Sequence, residues 1–305
     1  MLSVIIPTCN AAQWLDEQLS LLIRQSLVPD EILVVDSAST DHTRAIARTY
    51  PQVELIEIAR EKFDHGGTRS MAARRSRGDI LVFLTQDAIP ANEHCLALLT
   101  APLNRLNESV AVCYGRQLPH KDASPFATHL RLFNYPDSYE APRCYTDRER
   151  LGLHTIFCSN SCAAYRRDAL AAAGFFPERL LLGEDTFTVA KILELGYCVQ
   201  YVHGAQIFHS HNYTVTDEVK RYFDTGAFHA DAQELLCIYG TTGGAGRRFV
   251  FSELRYLVSR KKYGLLHLSL LRNALKLLAY QLGRRARCLP LPIKRRLSMR
   301  PNWWR

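Results

Sequence analysis

Ser3-Val4-Ile5-Ile6-Pro7-Thr8-Cys9-Asn10 and, further on, Glu31-Ile32-Leu33-Val34-Val35-Asp36-Ser37-Ala38-Ser39-Thr40-Asp41 carry the pattern that decides the fold. Each opens as a β-branched, aliphatic run and closes on polar residues, the signature of a strand buried on both faces that ends at an accessible edge. Between them, residues 12–24 place Leu15, Leu19 and Leu22 on one helical stripe. Strand, helix and strand in that order are the unit of a parallel sheet covered by helices.

The alternation continues outward. Strands are predicted at 3–6, 31–35, 53–58, 79–84 and 110–114, with helices at 12–24, at 41–49 behind a Ser39/Thr40 cap, and at 67–77. Residues 119–150, rich in Pro, Asp, Arg and aromatics, read as an irregular segment over the functional edge of the sheet. A strand at 157–166, a helix at 185–195, strands at 197–202 and 206–209, and helices from Asp217 onward complete the pattern. The fold class is α/β, a mostly parallel mixed sheet flanked by helices over residues 1–240, followed by a basic helical extension at 241–305.

A chain of 305 residues with 47% hydrophobic content buries a substantial core, which excludes disorder throughout. The opening lacks a basic n-region and its apolar run stops at Pro7, so it reads as neither signal peptide nor membrane span, and the expected compartment is the cytosol. Nine cysteines without a C-x-x-C pair, the nearest being Cys158 and Cys162, read as reduced, buried thiols. The net charge of +8 is unevenly placed: from Arg247 onward sixteen Lys and Arg stand against the single acid Glu253. The rest of the chain is therefore net acidic. That argues against an enzyme body clamped on nucleic acid and for a tail that meets an anionic surface.

In open α/β sheets, ligands sit beyond the carboxyl ends of the strands. Asp36 closes the second strand, where it can accept a hydrogen bond from a pyrimidine imide N–H or, equally, hold a turn. Thr85-Gln86-Asp87 closes the fourth, where Asp87 can bridge a divalent cation to a diphosphate or cap the turn before Pro90. The Gly66-Gly67 pair is no dinucleotide fingerprint, which argues against a nicotinamide enzyme.

The two opening stretches, together with Gln25, resemble the N-terminal half of the family 2 glycosyltransferases with the GT-A fold. Phe63-Asp64-His65-Gly66-Gly67-Thr68-Arg69, Leu84-Thr85-Gln86-Asp87-Ala88, Gly115-Arg116-Gln117-Leu118-Pro119-His120, Phe133-Asn134-Tyr135-Pro136 and Phe208-His209-Ser210-His211-Asn212-Tyr213 are similar to the bacterial rhamnosyltransferase branch. The likeness runs from about residue 2 to 230. The family's metal motif is Asp-x-Asp, whereas this chain keeps one carboxylate, Asp87. Mg²⁺ or Mn²⁺ then needs further ligands. His209 and His211, two apart on an extended segment, point to one side and are the candidates, with His209 at the position that the resemblance favours.

The resemblance implies a general base in Gly183-Glu184-Asp185-Thr186. Asp185 is expected to take the acceptor proton, with Glu184 as its orienting or acceptor-binding neighbour, although acids at a helix start also bring up to ~1 kcal/mol of purely structural stability. Donor-nucleotide contacts are expected from Pro7, Thr8, Asn10, Asp36, Ser37 and Gln86, and phosphate contacts from His65, Gly66 and Arg69 at a helix start. Arg116, His120, Asn134, Tyr135 and Asn160 are expected to shape the sugar and acceptor pocket.

The stretch 265–282 aligns Leu268, Leu271, Leu275, Leu278 and Leu282 on one stripe, with Arg272 and Lys276 on its flank. Basic clusters on both sides and the terminal Trp303 and Trp304 fit an interfacial helix with aromatic anchors, as an alternative to a helix docked on the catalytic domain. The resemblance thus implies an inverting enzyme at the inner face of the bacterial cell membrane, moving L-rhamnose from dTDP-β-L-rhamnose to a hydroxyl of a lipid-linked glycan. A UDP-hexose donor and a catalytically silent nucleotide-sugar-binding scaffold are the alternatives.

Overall fold

The structure, a computed structural model, describes residues 1–104, 109–240 and 244–304. Residues 241–243, where the sequence places the start of the extension, lie outside the described residues. Among the described residues nine strands form one sheet: β1 (Leu2–Thr8), β2 (Glu31–Ser37), β3 (Val53–Ile58), β4 (Ile80–Leu84), β5 (Ile89–Pro90), β6 (Val110–Leu118), β7 (Arg143–Cys144), β8 (Cys162–Arg166) and β9 (Cys198–Phe208). Their order is β3-β2-β1-β4-β8-β6-β9-β5, with β7 on β9. The β3-β2-β1-β4 half is parallel, as predicted, and β8 enters antiparallel between β4 and β6.

Alternate strand residues supply two cores. Ile5, Leu33, Val35, Leu81 and Phe83 pack on one face with α3 (His65–Arg75), α7 (Arg167–Ala172) and α8 (Glu184–Glu194). Val4, Ile6, Val34, Val82 and Leu84 pack on the other with Leu15, Leu19 and Leu22 of α1 (Ala12–Leu22) and with Leu96 and Leu99 of α4 (Cys95–Thr100). The second helix, α2, spans Thr43–Thr49.

Three predicted elements differ. The segment 119–150 is not wholly irregular: Ser124 accepts from Ala127 N and starts α5 (Pro125–Asn134), and the short α6 (Arg148–Leu151) follows β7. The strand expected at 157–166 begins only at Cys162, leaving Asn160 on the loop before it. The strands at 197–202 and 206–209 are one, β9. The gap between them is a bulge, since Gly115 pairs with Val202 while the next residue, Arg116, pairs with Gln206.

The cysteine expectation needs correcting. Cys144 and Cys198, directly paired across β7 and β9, form a disulfide. Their separation of 54 residues hides this in the sequence, because only the sheet brings them together. Cys237 and Cys288 are exposed, and Cys95, Cys113, Cys158 and Cys162 are buried thiols.

The C-terminal segment packs onto the rest of the chain. A capping box between Thr214 and Asp217 starts α9 (Val215–Asp231), which leads through α10 (Gln233–Tyr239) to α11 (Ala245–Ser259), α12 (Leu266–Arg284) and α13 (Leu291–Leu297). Helix α12 lies against α9, and at two glycines the backbones touch directly. A Cβ on Gly283 would stand 2.0 Å from Phe223 O, and one on Gly226 2.1 Å from Tyr280 O. This approach turns the polar flank of α12 inward: Ser269, Arg272 and Lys276 are buried, while Leu271 and Leu278 are 54% and 61% exposed. The aromatic-anchor expectation fails for the terminal pair. Trp304 is buried against Phe223, and Trp303 packs beside it at 4.8 Å between ring centroids. Among the described residues no helix is long and apolar enough to cross a membrane.

Candidate active site

Sheet pairing builds the first part of the site. Ile89 of β5 faces Phe208 of β9, so the residues just outside that pair, Asp87 and His209, come together. The turn is held by Ala88 N donating to Thr85 O, and by Gln18 Nε2 donating to Thr85 O and Ala88 O at 2.8 and 2.7 Å. His209 Nε2 stands 3.5 Å from Asp87 Oδ1, and His211 Nδ1 stands 3.7 Å from Asp87 Oδ2. One ligand atom from each of the three lies within 4.8 Å of the others.

The proton positions in this cluster follow from its neighbours. Arg131 can only donate, so the Gln117 atom facing it is the carbonyl Oε1, and His209 Nδ1 lies 2.9 Å from that same oxygen. His209 must donate there through Nδ1–H, which leaves the Nε2 lone pair turned toward Asp87. Burial pulls the imidazole down to about 3, against the opposing charge of Asp87, and His209 is neutral. Burial pushes the Asp87 carboxyl up, positive charge on His209 or His211 would pull it down, and the net direction is below the usual carboxylate range. A neutral imidazole oriented by Gln117 beside an ionised carboxylate is a donor set that fits a divalent cation.

The second part sits at the start of α8. Gly183, with φ +79°, makes the entry turn, and a Cβ there would meet the Phe228 ring at 2.4 Å. Asp185 is half-buried on the cavity wall, its Oδ1 accepting from Thr186 N at 2.8 Å and its Oδ2 from Asn160 N at 3.4 Å. Burial first, and the neighbouring Glu184 charge second, push its carboxyl up to about 6. Glu184 in turn pairs with Arg69 Nη1 at 2.5 Å. His65, one turn before Arg69 on α3, is driven down to about 2 by burial and then by Arg300, Arg69 and Arg221, so it too is neutral.

One cavity of about 740 Å³ joins the two parts. Of the residues predicted from sequence, His65, Arg69, Asp87, Asn134, Tyr135, Asn160, Glu184, Asp185, His209 and His211 line it. Asn160 Oδ1 accepts from Tyr165 OH at 2.8 Å, whereas Nδ2 has no protein partner among the described residues. The Tyr135 hydroxyl, raised to about 12 by burial, remains a neutral donor.

Pro7, Thr8, Asn10, Asp36, Ser37 and Gln86 form a separate patch at the ends of β1, β2 and β4 and are not on the cavity wall. Thr8 is the register partner of Asp36, Ser37 Oγ donates to Thr8 O, Asn10 Oδ1 accepts from Thr40 N, and Gln86 Oε1 accepts from Cys9 N. Asp36 is 0% exposed, and its carboxylate accepts from Ser39 N, Ser39 Oγ and Thr8 Oγ1. Of its two sequence readings, this geometry supplies the turn.

Three predictions need correction. Arg116 is spent on Tyr135 O and on Asp137 at 2.6 Å, away from the cavity. His120 is stacked between Trp14 and Phe208, because the end of β6 carries it under α1. Gly66 serves packing, since a Cβ there would stand 1.9 Å from Pro177 O, and Asp64 Oδ1 already caps this helix by accepting from Gly67 N. Sequence reading missed the basic wall made by Arg131, Arg221, Arg272, Lys276 and Arg300. The i, i+4 spacing of Arg272 and Lys276 on a leucine-rich helix was the available signal.

A sheet of this order, with an acid and two histidines at its strand ends and a second acid across a basic cavity, is the architecture of a glycosyltransferase with the GT-A fold. The chain belongs to the family described as Glycosyl transferase family 2, whose sequence model matches residues 3–174. It is 40% identical over 304 residues to the O-antigen chain rhamnosyltransferase RfbN of Salmonella typhimurium, covering 99% of this chain and 96% of that protein. It is 42% identical over 305 residues to the O-antigen chain rhamnosyltransferase WbaN of Salmonella anatum, covering 99% and 95%. Among solved structures, the mannosyltransferase PcManGT from Pyrobaculum calidifontis, in complex with GDP-Man and Mn²⁺, shares the fold. Its TM-score is 0.59 at 21% identity, covering 97% of this chain and 84% of that one.

Proposed function

We propose that this glycosyltransferase moves L-rhamnose, with inversion, from dTDP-β-L-rhamnose to a hydroxyl of a lipid-linked surface-polysaccharide precursor. The observation that carries this reading is the shared cavity of the Asp87–His209–His211 cluster and Asp185. The two full-length rhamnosyltransferase relatives supply the sugar class. Asp87, His209 and His211 would hold Mg²⁺ or Mn²⁺, which when bound neutralises charge on a departing diphosphate. Asp185 accepts the proton of the acceptor hydroxyl as that oxygen attacks the anomeric carbon. Burial, and after it the charge of Glu184 that Arg69 fixes, holds the carboxyl of Asp185 raised to about 6. Arg69 and His65 face the phosphate side, the patch around Thr8 and Asp36 borders the nucleoside, and Asn134, Tyr135 and Asn160 face the sugars.

A thermal-shift panel of nucleotide sugars with and without Mg²⁺ or Mn²⁺ tests the donor. dTDP-L-rhamnose is expected to raise the melting temperature most, and only with the metal. A larger, metal-linked shift with a UDP-hexose would replace the rhamnose assignment.

The reading includes attachment to the inner face of the cell membrane. Leu270, Leu271, Leu277, Leu278 and Leu282 of α12 are all exposed, with Arg260, Lys261, Lys262, Arg284, Arg285 and Arg287 around them. Each basic residue near an anionic leaflet contributes about 1 kcal/mol. The protein is expected to sediment with phosphatidylglycerol vesicles at low salt, and Leu271→Ser with Leu278→Ser to release it without lowering the melting temperature. Equal sedimentation of the double variant would remove α12 as the contact.

A further inference from the structure

The wall of the cavity formed by α9 and α12 carries positive charge with no assigned work. Lys276 is 6% exposed, its ammonium lying over the Tyr222 and Phe249 rings at 5.4 and 4.8 Å. Among the described residues no carboxylate lies within ion-pair distance of it. The two acids nearby are committed elsewhere. Glu218 pairs with Arg272 Nε at 2.9 Å, and Glu253 accepts from Ser269 Oγ and Asn273 Nδ2 and faces His129. Arg221, on the same wall, also has no ion pair among the described residues. Burying this ammonium is costly, because the neighbouring Glu218 and Glu253 already accept from other donors, and a ligand anion recovers part of that cost. The Asp87–His209–His211 cluster is carried by the β4–β5 turn and the end of β9, whereas Lys276 is carried by α12.

We propose that Lys276, on the same cavity wall as Arg221, is an anion subsite for a phosphate ester of the acceptor, the diphosphate that joins a glycan to its polyisoprenoid carrier. The assignment rests on the lipid-linked acceptor proposed above. It gives the two faces of α12 complementary work. The inner face takes the phosphates, and the exposed leucine face lies where the carrier's hydrocarbon leaves for the bilayer.

Isothermal titration in EDTA, with inorganic pyrophosphate and with farnesyl diphosphate as probes, tests this without donor, metal or turnover. The wild-type protein is expected to bind both. Lys276→Met should weaken binding about tenfold or more, the loss of one charge-assisted contact, while Lys276→Arg and Asp87→Asn retain it. If Lys276→Met fails to fold, Arg221→Met, at an exposed position, carries the same expectation. Unchanged affinity in the Met variants, or no binding of either probe to the wild type, overturns the subsite. Binding of pyrophosphate with rejection of farnesyl diphosphate overturns the lipid source and leaves a site for free phosphate. Because these titrations contain no nucleotide sugar, a failed donor panel and a failed subsite are separate results.

Discussion

Asp185→Asn is expected to lower the turnover number by about 10² to 10⁴-fold, the range that a positioned general base contributes, while leaving donor affinity intact. The amide keeps the size of the carboxyl and its oxygen can still accept from Thr186 N, but its nitrogen cannot accept from Asn160 N and the group cannot take a proton. The same residue sets the acid limb of the rate profile. With its carboxyl raised to about 6, wild-type turnover should fall as pH drops through that value and the base becomes protonated. The residual activity of the Asn variant should lack that limb. Stability supplies the control. A carboxyl raised by burial binds its proton more tightly in the folded than in the unfolded chain, so the folded state loses stability as pH rises from the ordinary value through about 6. At pH 7.5 the Asn variant, relieved of that charge, should melt no lower than wild type. Preserved turnover in a folded Asn variant would take Asp185 out of the mechanism.

Chelation or Asp87→Ala is expected to cost about 10³-fold in turnover, the scale of several kcal/mol of charge stabilisation on the leaving diphosphate. Unlike the Asp185 variant, Asp87→Ala should also lose the metal-linked part of donor binding. Added Mn²⁺ should restore the chelated wild type and leave the variant inactive. Gln117 and Arg131 fix the His209 tautomer, so the cluster has one carboxylate and one preset imidazole in place of two acids. A wild-type protein fully active in EDTA, with no metal in the melting response, would sink the cation site.

The parallel half of the sheet was legible because its strands are continuous aliphatic runs and its helices show clean stripes. The strand ends were legible for the same reason: once β4 and β9 are drawn, Asp87 and His209 must lie near one edge. The rest depended on contacts that a one-dimensional pattern does not hold. His120 and Arg116 sit on the same β6 end as Gln117, yet α1 and Asp137 claim the first two. Cys144 and Cys198 meet only through β9. Arg272 and Lys276 read as the flank of a surface stripe, because the reading had no means of knowing that Gly226 and Gly283 would let α12 sink its polar side onto α9. Buried cations were the less expected outcome, and their π-face and carboxylate partners come from helices distant in sequence.

The bare-backbone seam between Gly226 and Gly283 also constrains how this protein can be recombined. A chimera joined near residue 240 would inherit one half of that seam from each parent, and any graft bringing alanine or larger at either half would wedge the partner helix outward. Acceptor preference, to the extent that Lys276 and Arg221 set it, then travels only when both halves are exchanged together as one cassette.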